Sequence, residues 1–222
     1  MKPTRLLDEA TTPDGTPLTL YEHDGDFSIR VGGVPLMSTR QHHSEERLAE
    51  LACAGLRDRR HAAVLIGGLG LGFTLRETLR HVAADATVVV AELLPAVIAW
   101  NRNPAFALAA DVIDDPRVEI IAGDVADVLS SSPGRFDSIM LDVDNGASPL
   151  TAAANSELYT ATGLAAARAA LRPGGRLAVW SADADPQFVS GMKKAGFAVE
   201  VVKARAYPTG GSWNSLFIGT RS

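Results

Sequence analysis

The chain has 222 residues, which is enough for one large domain or for one domain with a small appendage. Its composition is that of an ordinary globular protein. A net charge of −5 without any basic run argues against nucleic acid as the main partner. A lone cysteine, Cys53, excludes an internal disulfide and a thiolate metal cluster. No apolar run approaches the length of a membrane span, so a cytoplasmic protein with no membrane partner is expected.

Residues 1–16 are polar and punctuated by Pro3, Pro13 and Asp14-Gly15, which predicts a loose lead-in. Short β-like runs at 18–22 and 27–31 flank His23-Asp24-Gly25-Asp26, which carries an Asp-Gly turn signal, and 34–37 adds a third strand. Residues 1–40 thus form a small N-terminal β-element, too small to fold alone, that must pack on the main domain or on a second subunit. Residues 41–222 read as one Rossmann-like nucleoside-binding domain. Ser44 is the expected N-cap of its first helix, with Glu45 and Glu46 in the first turn where the helix dipole favours acids. Leu48, Leu51, Ala52, Gly55 and Leu56 give that helix one apolar face as far as about Arg57, and Cys53 falls within the pattern as a buried, inert residue.

Strand and helix patterns then alternate. Strands are expected at 64–67, 88–92, 118–121, 136–141 and 177–180. Helices are expected at 73–81, 95–101, 125–129 and 186–195, and over 155–171, where Asn155 is the cap and Pro173-Gly174-Gly175 the breaker. The connection over 103–116 reads as partly helical. Two strands, 197–203 and 213–219, follow with no helix between them. The predicted class is α/β, with a mostly parallel sheet and an antiparallel C-terminal edge.

The stretch Gly67-Gly68-Leu69-Gly70-Leu71-Gly72 joins the first strand of this domain to its helix. Gly68, Gly70 and Gly72 let a backbone pass close to a ligand, and the helix that follows directs free N–H groups towards it. Glu92, at the tip of the next strand, suits the two hydroxyls of a ribose. Four successive strands end in residues 68–72, Glu92, Asp124 and Asp142, all on one rim, which points to an adenosine-type ligand. The competing reading is that these acids only cap helices. In Asp142-Val143-Asp144-Asn145-Gly146 the two carboxylates face the same way on an extended backbone, so they attract cations, repel a ligand carboxylate and can orient an amine nucleophile. The alternative there is an Asx-turn followed by a type I′ turn. His42-His43 has no companions with metal-ligand spacing, and no metal is expected. Residues 205–213 are either a flap or a plain hairpin connection.

Residues 64–74, the Glu92 tip, Asp115-Pro116-Arg117-Val118 leading to Gly123-Asp124, and Phe136-Asp137 leading to Asp142 resemble the spermidine/spermine synthases, polyamine aminopropyltransferases built on the class I methyltransferase fold. The resemblance implies a seven-stranded Rossmann-like domain behind a small β-element, often in a homodimer. It also implies decarboxylated S-adenosylmethionine as aminopropyl donor and a small-molecule amine as acceptor. Gly68, Gly70, Gly72, Glu92, Asp124 and Val125 would hold the donor, with Glu92 on the ribose and Asp124 on the adenine amino group. Asp142, helped by Asp144, would orient and deprotonate the amine, and His42 or His43 would line the acceptor channel. The family's Asp-Glu pair and Tyr-His-Glu run correspond to 38–44, where His43 matches the histidine, His42 stands at the tyrosine and the acids are missing. After the fourth strand the family's first Asp is Asp142, and its second is shifted to Asp144 or replaced by Asn145. Two other readings stand beside aminopropyl transfer: a methyltransferase using ordinary S-adenosylmethionine, and a nucleoside-binding homologue without catalysis.

Overall fold

The computed structural model of the chain describes residues 3–106, 108–143 and 155–222. Asp144 and the expected Asn145-Gly146 turn lie outside the described residues.

The N-terminal sheet has four antiparallel strands in sequence order, β1 (Arg5–Thr11), β2 (Pro17–His23), β3 (Asp26–Val31) and β4 (Val34–Ser38). The expected loose lead-in is therefore corrected: residues 5–11 form an edge strand, and the Pro13/Asp14-Gly15 punctuation is the hairpin turn that joins it to β2. Thr12 closes that turn, since its Oγ1 accepts from Thr16 N at 3.0 Å while Gly15 sits at φ +84°. The strand escaped notice because Arg-Leu-Leu-Asp-Glu-Ala-Thr is mostly exposed and lacks a clean alternation. Leu18, Leu20, Phe27 and Ile29 merge into one apolar core with Leu48, Leu75, Val97 and Trp100 of the main domain. Trp100 Nε1 also donates to Asp8 Oδ2 at 2.7 Å. Of the two packing arrangements left open, the element adopts the first, against its own chain.

The main domain runs α1 (His43–Ala52), β5 (Ala63–Gly67), α2 (Phe73–His81), β6 (Thr87–Glu92), α3 (Pro95–Arg102), β7 (Val118–Ala122), α4 (Val125–Ser131), β8 (Phe136–Leu141), α5 (Asn155–Leu158), α6 (Ala161–Ala170), β9 (Leu171–Ser181), α7 (Pro186–Lys194), β10 (Phe197–Tyr207) and β11 (Gly210–Arg221). Its seven strands lie in the order β10-β11-β9-β8-β5-β6-β7; β11 is antiparallel to β9 and β10 to β11, and the other neighbours are parallel. Every residue of β5 and β8 is buried, as expected for central strands covered on both faces. One helical layer supplies Leu48, Leu75 and Val97 to its core; the other supplies Val125, Leu164 and Phe188. The chain builds outward from β5 to β7 and then returns to β8 on the other side of β5. This reversal of direction between β5 and β8 is the place where such a sheet has a crevice at the carboxyl ends of its strands. At the opposite end, buried Asp137 fastens the sheet: it accepts from Ala63 N at 2.8 Å and pairs with Arg59 and Arg172, each at 2.7 Å.

Four boundaries differ from expectation. Helix α1 starts one residue before Ser44, with His42 as its N-cap, and ends at Ala52 because Gly55 turns the chain at φ +87°. The expected helix over 155–171 is two helices, with Thr160 capping the second by accepting from Gly163 N at 3.3 Å. Pro173-Gly174-Gly175 lies inside β9, where it is absorbed by a bulge: Phe136 pairs with Leu171, but Ser138 pairs with Arg176. Residues 103–106 and 108–116 are turns rather than helix, with Leu108, Ala109 and Ile113 buried against the domain.

Candidate active site

Two cavities meet in this crevice. The first is lined by Gly68, Gly70, Glu92, Asp124, Val125 and Asp142, with Leu18, Ile29 and Met37 of the N-terminal sheet forming its apolar side. The glycines act differently from one another. Gly68 has φ +89°, and a Cβ there would stand 2.5 Å from the backbone oxygen of Asp142, so the loop is pressed against the β8 terminus. Gly72, at φ +80°, is the N-cap of α2 and faces Ala109, whose Cβ would be 2.3 Å away. It is needed for protein packing and lies behind the cleft rather than on its wall.

Glu92 binds the loop directly, its Oε2 accepting from Leu69 N and its Oε1 from Leu94 N, both at 2.8 Å. Asp124 caps α4 by accepting from Ala126 N at 2.8 Å and also lines the cleft, so the cap does not remove it from the cavity wall. Among the described residues there is no group of three or more His, Cys, Asp or Glu side chains placed to hold a metal ion.

The second cavity shares Leu36, Met37, Gly70 and Asp142 with the first. Asp142 thus stands at the junction, where its Oδ2 accepts from Thr74 Oγ1 at 2.6 Å. Burial pushes its carboxyl up to about 6, against the opposing pull of the Thr74 hydroxyl. Across the cavity stand Gln41, Ser44, Glu45, Phe73, Trp180 and Asn214. Burial, with the nearby charge of Asp142, pushes the Glu45 carboxyl up to about 8. Ser44 organises this wall: its Oγ accepts from Trp180 Nε1 and Asn214 Nδ2, each at 3.0 Å, and donates to Glu45 Oε2 at 2.6 Å. Ser44 is therefore a hub inside the cavity and not the expected helix cap. Residues 205–213 belong to the β10–β11 hairpin, and Ala206, Ser212 and Asn214 from its end line the same cavity, so neither of the two earlier readings excludes the other.

His42 and His43 sit at the start of α1 but line neither cavity. The His42 ring stacks on Phe73 at 4.2 Å, and its Nδ1 lies 3.0 Å from Glu46; His43 Nδ1 is 3.8 Å from the same side chain. The structure instead brings in Ser44 and Glu45, the next two residues. Their signal was present in the helical spacing: Ser44 and Glu45 stand four residues before Leu48 and Ala49, both fully buried, which puts a hydroxyl and an acid on an inward face. Cys53 is buried as expected, and burial pushes its thiol up to about 12, which makes it a poor nucleophile.

Residues 41–188 match the family model described as the spermine/spermidine synthase domain. The chain belongs to this family. Among curated synthase relatives, it is 31% identical over 160 residues to a polyamine aminopropyltransferase of Mycobacterium tuberculosis (strain CDC 1551 / Oshkosh), covering 68% of this chain and 29% of that protein. It is 37% identical over 120 residues to polyamine aminopropyltransferase 2 of Pseudomonas aeruginosa, covering 52% and 32%. The aligned part thus spans about a third or less of the length of these two relatives. In fold, it superposes on the spermidine synthase of Thermotoga maritima with a TM-score of 0.75 at 20% identity, covering 98% of this chain and 73% of that one.

Proposed function

We propose that the chain transfers an aminopropyl group from decarboxylated S-adenosylmethionine to a small-molecule amine. The observation that carries this reading is Asp142 at the junction of the two cavities. A carboxylate there, beside the position of the donor's tail, opposes the carboxylate of ordinary S-adenosylmethionine and favours a tail ending in an ammonium. The first cavity takes the nucleoside, with Glu92 on the ribose and Asp124 on the adenine amino group. The second takes the acceptor. Support for the chemistry comes from the family match and from the synthase relatives.

In the reaction the acceptor ammonium gives a proton to a carboxylate and becomes a free amine. The nitrogen lone pair forms a bond to the propyl carbon beside the sulfonium. The carbon–sulfur bond breaks, its electron pair goes to sulfur, and methylthioadenosine leaves as a neutral thioether. Asp142 holds and deprotonates the amine, and Asp144 is proposed to assist from beyond the described residues. Positioning of the two reactants supplies most of the acceleration. The protein is further proposed to act in the cytoplasm, which its single reduced thiol suits, and as a homodimer, for which light scattering is the measurement. No helix among the described residues is long and apolar enough to cross a membrane.

Calorimetry with 5′-methylthioadenosine and S-adenosylhomocysteine tests the donor. Preference for methylthioadenosine is expected. Preference for S-adenosylhomocysteine would replace this reading with the methyltransferase one. In a panel of amines, Asp142→Asn is expected to abolish transfer while leaving methylthioadenosine binding within about threefold, a change worth less than about 1 kcal/mol. Full activity in that variant removes Asp142 from the mechanism.

A further inference from the structure

Two acids, not one, face the acceptor cavity in the described part of the chain. Asp142 comes from the end of β8 and Glu45 from the first turn of α1, and each has one carboxylate oxygen held by a hydroxyl at 2.6 Å. The hydroxyl at Glu45 is constrained. Both donors that reach Ser44, from Trp180 on β9 and Asn214 on β11, fill its acceptor positions, so its single proton is directed to Glu45. Three elements thereby fix one carboxylate in the cavity wall, and among the described residues no Lys or Arg is paired with it. The one Arg or Lys near it in sequence, Arg47, is engaged with Glu50.

We propose that Glu45 is the second carboxylate of the acceptor site: together with Asp142 it takes the acceptor as its ammonium ion and receives the proton that the amine must lose before attack. This rests on the aminopropyl-transfer reading above. The proton balance assigns the two acids separate duties. One proton leaves the ammonium before the new bond forms, and the product amine, now carrying an extra alkyl group, sheds a second if it departs neutral. Two adjacent carboxylates that share protons can accept both in turn. The groups facing Glu45 are Asp142 from β8, Glu46 on its own helix, and the uncharged Ser44, Trp180 and Asn214. Its titration is therefore governed by Asp142, by Glu46 and by any amine that arrives. Burial raises both acids, which places their proton exchange in the neutral range.

The test compares wild type, Glu45→Gln and Glu45→Asp, each checked for an unchanged fold by circular dichroism. Glu45→Gln keeps the bond from Ser44 and removes only the charge and the basicity. Its KM for the preferred amine is expected to rise by about tenfold or more, equivalent to about 1.4 kcal/mol. One ionisation is expected to vanish from the pH profile of kcat/KM, while methylthioadenosine binding is unchanged. Glu45→Asp is expected to recover part of the loss. A Glu45→Gln enzyme with the KM and pH profile of wild type overturns the proposal and leaves aminopropyl transfer standing. If wild type transfers to no amine, the aminopropyl-transfer reading fails, and the Glu45 assignment is then read from binding of n-butylamine and 1,4-diaminobutane to the methylthioadenosine complex. Equal affinity in wild type and Glu45→Gln, or no binding to wild type, overturns it there as well.

Discussion

Glu45 stores free energy as well as chemistry. A carboxyl raised from 4.5 to about 8 by burial contributes stability that is fully present below about pH 4.5 and is lost as pH rises to about 8. Without an amine bound, the folded form keeps the proton across this window while the unfolded form releases it, so each step up in pH favours unfolding; an arriving ammonium ion favours the carboxylate instead. Glu45→Gln resembles the protonated acid at every pH. Its melting temperature is therefore expected to match wild type near pH 4.5 and to exceed it increasingly up to pH 8, by several degrees, since about 1 kcal/mol moves a chain of this size by about 2–4 °C. Thermal melts across that range check this, and a constant gap between the two proteins would remove Glu45 as the source. Asp142, pushed to about 6, loses its contribution over a lower window with the same sign.

At the scale of elements, Asp124 shows how a cap can be separated from a ligand contact. It caps α4 through Oδ1 and lines the first cavity, the proposed nucleoside site. Asparagine is an equally good cap, but its amide offers the adenine amino group a weaker acceptor. Asp124→Asn is expected to keep its melting temperature and to lose methylthioadenosine affinity in calorimetry, whereas Asp124→Ala loses the affinity and also about 1 kcal/mol of stability. Equal affinity in all three proteins would leave the cap as its whole role. The elements themselves were largely legible in the sequence where burial is two-sided, because β5 and β6 are short apolar runs that end in Gly67 and Glu92, and the apolar end of β8 leads into Asp142. Legibility failed where local chemistry had two uses. Pro173-Gly174-Gly175 reads as a stop for a helix, but here it is also a bulge in the next strand. Ser44 reads as a cap because caps are the commonest use of serine before a helix, while its actual partners, Trp180 and Asn214, lie 136 and 170 residues away. No local pattern carries such contacts.

For the whole molecule, the small N-terminal sheet is both a stability element and one side of the first cavity, the proposed nucleoside site. Leu20 and Ile29 are equally buried in β2 and β3, but only Ile29 lines the cleft. Leu20→Ala and Ile29→Ala are each expected to cost about 2–5 kcal/mol of stability. Only Ile29→Ala is expected to weaken methylthioadenosine binding as well, as denaturant melts paired with calorimetry would read. Equal affinities would mean that the sheet supports the domain without shaping the site.

The narrow boundary between the two cavities has a consequence for how such a chain can diverge. Leu36, Met37, Gly70 and Asp142 are the residues that serve both sides. The rest of the second cavity's wall comes from β4, the loop and first turn leading into α2, the entry to α1 and the ends of β9, β10 and β11, while Glu92, Asp124 and Val125 line the first cavity alone. Within the proposed function, a change at Gln41 or Ser212 therefore alters the acceptor side alone and leaves Glu92, Asp124 and Val125 in place.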